Sequence, residues 1–217
     1  MENCSTSVAL IQNGDKFSLM QCPQNELERK QMEGIPYVST IGSLMYTQTC
    51  TRPDISFAVG ILGRYQSNPG MDHWKAAKKV MRYLQDTKDF MLTFKRSDIL
   101  EVTDYSDSDF AGCIDSRKST FGYLFMLAEG AISWKSAKQT IIASSTMEAE
   151  FVACFEGTVH GLWLRNFFSG LRIVDFISKP LRIYYNNSAS VFFSKNDKYS
   201  KGAKHMELKY LTIKKDV

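Results

Sequence analysis

The chain has 217 residues, 44% of them hydrophobic, 12% aromatic and 23% charged. This is enough apolar material for one large or two small packed domains and too much for a disordered chain. Its five cysteines, at 4, 22, 50, 113 and 154, are odd in number and lack CxxC spacing, which argues against a disulfide framework or a zinc centre and suits a reducing compartment. Neither a membrane span nor a signal peptide is readable: the opening MENCSTSVALIQNGDKF has no basic start and no long apolar run. The net charge of +4 is concentrated in residues 195–217, where seven lysines face three acidic residues. A basic tail of this kind suits weak, non-specific contact with phosphate backbones, although a solvated helical face would look the same.

Residues 1–35 are polar and irregular and read as a flexible or extended leader. Residues 36–88 read as helical. Ile41, Leu44 and Met45 carry helical spacing. Thr51-Arg52-Pro53-Asp54 reads as a helix start, with Thr51 as N-cap, and leads into Ile55, Phe57, Ala58, Ile61, Leu62 and Tyr65. After the break Asn68-Pro69-Gly70, a third helix opens at Asp72. It places Trp74, Ala77, Val80, Met81 and Leu84 on one face and Lys75, Lys78, Lys79 and Arg82 on the other.

Strand signals follow. They fall at 90–94, at 101–107, at 122–127 and at 131–135, with Glu129-Gly130 as a tight turn between the last two. A long helix spans 144–170, with Ser144, Ser145 and Thr146 offering the cap and Glu148 in its first turn. Trp134, Trp163 and the GLWLRNFF stretch read as core, and the three histidines, His73, His160 and His205, as structural or solvated. A strand at 181–185, a short helix at 187–194 and a last helix at 203–215 complete the order. The fold class is therefore mixed α+β, with a helical segment at 36–88 before a βββαβα sheet domain at 90–217.

Chemistry gathers in EVTDYSDSDFAG at 101–112. Period-two alternation puts Val102, Asp104, Ser106 and Ser108 on one face and Thr103, Tyr105, Asp107 and Asp109 on the other. Two carboxylates so close on one face repel unless solvent or a cation separates them. Chain order also brings the end of this strand, the first turns of the long helix (Glu148, Glu150) and the end of the fourth strand (Tyr185-Asn186-Asn187) to one place. A carboxylate cluster for two Mg²⁺ ions would sit there.

YSDSDFAG, DSRKSTFGYLF, GAISWKSAKQTIIASSTMEAEF, LWLRNFF and SKGAKHMELKYLTIK resemble the ribonuclease H domain of copia-type retrotransposon polyproteins. YVSTIGSLMYTQTCTRPDISFAVGILGRYQSNPGMDHWKAAKKVMRYLQDT resembles the segment that follows the polymerase palm in the same polyproteins. The resemblance implies a ribonuclease H-like sheet, truncated before its fifth strand. It places the first catalytic Asp on Asp107 and the helix Glu on Glu150, and sets Asn186 where an Asp belongs. The fourth Asp would lie beyond Val217 and the polymerase Asp pair before Met1. Asp107, Asp109 and Glu150 are then candidates for weak Mg²⁺ ligation, and the site is expected to be catalytically incomplete, with no cofactor required.

The chain is also similar to copia-like proteins described as secreted RxLR-type effectors of a downy mildew, an oomycete. That likeness implies virulence: secretion, entry into a host plant cell, action in its nucleus or cytoplasm, host proteins as partners, and suppression of immune responses or cell death. No strict Arg-x-Leu-Arg is present; Arg82-Tyr83-Leu84-Gln85 is the nearest string and lies on a predicted helix. The alternatives are a residual Mg²⁺-dependent ribonuclease H acting on RNA–DNA hybrids and a non-functional retrotransposon remnant.

Overall fold

Helix α1 (Glu26–Glu33) forms inside the stretch expected to be irregular. Its cause is local. The Asn25 side chain accepts from the Glu28 amide at 2.8 Å, and the Glu28 carboxylate accepts from the Asn25 side chain at 3.0 Å and from the Gln24 amide at 2.8 Å. This reciprocal capping satisfies amides that would otherwise lack partners, and buried Met32 anchors the far end. The computed structural model describes residues 10–11, 15–96, 101–171 and 182–185. They fall into two compact units, one within Met1–Leu92 with Cys113–Arg117, the other within Thr93–Gly112 with Lys118–Val217.

The first unit continues with α2 (Tyr37–Cys50), α3 (Ser56–Leu62) and α4 (Met71–Asp86). Tyr37, Ile41, Leu44, Ile55, Ala58, Val59, Leu62, Ala77 and Val80 form its core. The expected cap at Thr51 is corrected. Thr51 instead closes α2, donating its amide to the Thr47 carbonyl, and Arg52 precedes a 3-10 turn at Pro53–Ile55. Helix α4 starts where the Gly70 amide donates to His73 Nδ1 at 2.9 Å. That histidine is fully buried and stacked on Tyr65 with ring centroids 4.1 Å apart. Gly70 has to be glycine, because a Cβ there would strike the Gln21 carbonyl. Arg82, Tyr83 and Leu84 lie half-buried on α4, and Tyr83 is held by a hydrogen bond from its hydroxyl to Asp54 at 2.9 Å. The string is thus built into a helix rather than offered as an extended motif.

In the second unit β1 (Thr103–Asp109), β2 (Thr120–Leu127) and β3 (Gly130–Lys138) form an antiparallel meander, and α5 (Thr146–Leu171) leads to β4 (Arg182–Tyr185). The sheet order is β3-β2-β1-β4, with β4 parallel to β1, so the mixed sheet expected from a crossover helix is present. The helices expected at 187–194 and 203–215 lie outside the described residues, as do residues 195–217 and His205. No strand forms at 90–94. The Lys95 amide donates to the Ala128 carbonyl at 2.9 Å, while Phe90, Met91 and Phe94 stay exposed. Ala128 and Glu129, with φ of 52° and 62°, make the two-residue hairpin turn between β2 and β3.

Helix α5 packs on β1 and β2. Its buried face includes the small residues Ala149, Ala153, Gly157 and Gly161, which let the helix approach the strands closely, together with Val152 and Leu164. Around them Val102, Phe121, Tyr123 and Phe125 complete the core. The expectation that Trp163 and the GLWLRNFF stretch form core is corrected. Leu164 is buried, but Trp163 and Phe167 are 56% and 48% exposed and stack on one another along the outer face. Positions 163 and 167 lie about 100° from the buried seam, which the 3.6-residue period permits and apolar content alone conceals.

The start of α5 carries a capping box. Glu148 donates its amide to Ser145 Oγ at 3.2 Å, and its carboxylate accepts from the Ser144 amide at 2.7 Å and hydroxyl at 2.6 Å. Glu148→Ala is therefore expected to lower stability by about 1 kcal/mol, measured by urea denaturation. A loss below about 0.3 kcal/mol would mean that the cap contributes nothing.

Candidate functional site

Asp107 stands near the end of β1 and is exposed; its partner across the ladder is Gly122. Glu150, in the second turn of α5, is 7% exposed and hydrogen-bonds to Asp107. Burial, then the Asp107 charge, then that hydrogen bond push the Glu150 carboxyl up to about 7. Glu150 is thus far more readily protonated near neutral pH than an ordinary glutamate. Glu150 Oε2 is buried with no hydrogen-bond partner.

Asp109, on the same face as Asp107, is engaged elsewhere. Its Oδ1 accepts from the Thr120 amide, and its carboxylate lies against Gly112, where any Cβ would collide with it. Asp109 thereby closes the turn through Ala111, whose φ is 53°. Glu148 is committed to the cap. The fourth strand runs beside β1 with Tyr185 opposite Ser106, and the next residue, Asn186, lies outside the described residues. Among the described residues no three His, Cys, Asp or Glu side chains gather as a metal cluster. Among the described residues the site therefore consists of Asp107 beside Glu150, with Asp109 bound into the turn.

Gln139 is a positioning residue that the sequence reading missed. It is 1% exposed. Its side-chain amide donates to Ser108 Oγ at 3.1 Å and to the Ala149 carbonyl at 2.8 Å, and its backbone amide donates to the Ser119 carbonyl at 2.8 Å. It therefore ties the end of β3 to β1 beside Asp107 and to α5 beside Glu150. The only signal was a lone amide between a strand and a helix start in KQTIIASS. Asp104 was also missed as a buried carboxylate. The alternation was read correctly, but both faces of β1 are polar, so it did not reveal which one the helix covers.

No family model and no solved structure matches the chain. Over 202 residues, 93% of its length, it is 41% identical to the retrovirus-related Pol polyprotein from transposon TNT 1-94 of Nicotiana tabacum, and this stretch covers 15% of that polyprotein. It is 36% identical over 181 residues to the Pol polyprotein from transposon RE2 of Arabidopsis thaliana, 12% of that relative. Over 133 residues, 61% of this chain, it is 45% identical to secreted RxLR effector protein 161 of Plasmopara viticola, and covers 94% of that protein. The chain thus spans about one seventh or less of the polyproteins and nearly the whole of the effector-named relative. With identity of this extent running through both units, the chain belongs to the copia-type retrotransposon Pol family.

Proposed function

We propose that this chain is a copia-derived protein without ribonuclease H activity that is secreted and acts in host plant cells, in the nucleus or cytoplasm, by binding host proteins and suppressing cell death. The observation that carries the effector reading is the 45% identity covering 94% of the relative named a secreted RxLR effector. The non-catalytic reading is supported by Asn186 standing where the family resemblance expects an Asp, and by a Glu150 carboxyl that burial raises well above the ordinary carboxylate range. An amide in place of a carboxylate keeps an oxygen but loses the charge that holds Mg²⁺. The fold has no helix, among the described residues, long and apolar enough to cross a membrane, and the proposed action requires none.

The test has two arms. Expressed in leaves challenged with a cell-death elicitor, the chain is expected to reduce necrosis; undiminished necrosis at good protein levels would favour the remnant reading. Incubated with a labelled RNA–DNA hybrid in Mg²⁺ or Mn²⁺, it is expected to leave the hybrid intact. Cleavage abolished by Asp107→Ala would overturn the non-catalytic reading and establish a residual Mg²⁺-dependent nuclease. That second reading is favoured by one observation, the convergence of Asp107 and Glu150. Contact between residues 195–217 and nucleic acid belongs to the same proposal and would appear as salt-sensitive, sequence-independent binding.

A further inference from the structure

The face of β1 that α5 covers carries Val102, Asp104, Ser106 and Ser108, all buried. Asp104 is fully buried, and neither of its carboxylate oxygens has a hydrogen-bond partner among the described residues. Gly157 lies directly above. A Cβ at that position would come within 2.7 Å of Asp104 Oδ2 and 3.4 Å of Ser106 Oγ, so the helix backbone rests on the carboxyl group. The ionisable groups around it offer no compensation. Tyr123 of β2 is pushed up to about 12 by burial first, then by Glu156 of α5 and by Asp104 itself. Opposite Asp104 in the ladder stands Phe125. Among the described residues no cation acts on Asp104; the Leu124 and Tyr105 peptide groups favour its charged form, and burial outweighs them, raising the group from 3.8 to about 7.

We propose that Asp104 is a proton-dependent latch on the α5–β1 seam: the seam closes around the neutral carboxylic acid, and loss of that proton loosens α5 from the sheet. Because the group binds its proton more tightly in the folded than in the unfolded chain, stability falls as pH rises from about 4 to about 7 and stays low above that. The second unit is then at its firmest in mildly acidic solution. Glu150 is raised in the same direction, so the latch is isolated by comparison at constant Glu150.

The test is urea denaturation of the full chain and of Asp104→Asn from pH 4.5 to 8.5. The wild-type folding constant is expected to fall on the order of a hundredfold further than that of the variant, a discounted share of the thousandfold that three pKa units represent. The variant should be the more stable protein at pH 8. Parallel pH profiles would overturn the proposal. Should Asp104→Asn not fold, hydrogen exchange on the wild type decides. Protection of α5 amides, corrected for intrinsic rate, should drop at least tenfold from pH 5.5 to 8, and unchanged protection would sink the latch.

Discussion

Arg52→Ala is expected to destabilise the first unit by about 3 kcal/mol, and Arg52→Lys to lose most of the same amount. Arg52 is 7% exposed, and every face of its guanidinium is used. Nε donates to Asp54 Oδ1 at 3.0 Å and Nη2 to Asp54 Oδ2 at 2.7 Å, a bidentate pair. Nη1 donates to the Thr87 carbonyl at 3.1 Å, just past the end of α4, while the Tyr83 and Phe90 rings lie 5.6 and 5.9 Å from the guanidinium carbon. One side chain thus joins the α2–α3 connection to the C-terminal end of α4. Alanine would leave a partly buried carboxylate and a carbonyl without their donor, and lysine cannot reproduce the planar fork. Burial by itself would raise the Asp54 carboxyl, but hydrogen bonds from Arg52 and Tyr83 and the Arg52 charge hold it below the ordinary 3.8. Stability from this pairing is therefore present above that value and lost as pH falls through the lowered one, so the penalty of Arg52→Ala should shrink in strong acid. Urea midpoints at pH 7 measure the effect. A loss under 1 kcal/mol would show that the network is ornamental to stability.

The contrast between the two units shows what the residues could disclose. Where one face is apolar and the other charged, as on α4, the sequence reading named Ala77 and Val80 in the core and Lys75 and Lys78 outside, and the structure agrees. Where both faces share a chemistry, it failed in characteristic ways. Polar β1 hid its buried side, and apolar α5 hid its exposed one. Helix α1 depends on three hydrogen bonds between Gln24, Asn25 and Glu28 rather than on periodicity, so a search for apolar stripes passed over it. The candidate site was legible as a meeting of Asp107 with the first turns of the long helix, because strand–helix order constrains where ends can lie. The raised Glu150 carboxyl was not legible, since it depends on Glu150 being 7% exposed. Nor was the role of Gln139, which depends on three elements converging on one amide.

Phe125→Ala is expected to cost the second unit about 3–5 kcal/mol, and Phe125→Leu roughly 1–1.5 kcal/mol. Phe125 is fully buried in β2, at the centre of a cluster that includes Val102, Ala153 and Leu164. Its ring meets the Tyr123 ring nearly edge-on at 5.5 Å, interplanar angle 70°, and lies 5.3 Å from the His160 ring. No neighbour can collapse into the space it leaves without moving backbone, since the helix residues facing the sheet there include alanine and glycine with no side chain to lend. The site should feel the same change. Asp104 is opposite Phe125 in the ladder, and Asp107 pairs with Gly122 three residues further along, so β1 is held in register against α5 through the strand that Phe125 anchors. Urea denaturation supplies the energies. Hydrogen exchange in β1 supplies the structural readout: protection at Ser106 and Asp107 should fall in step with global stability. If Phe125→Ala unfolded the core while those amides kept wild-type protection, Asp107 and Glu150 would be held together by something other than this core.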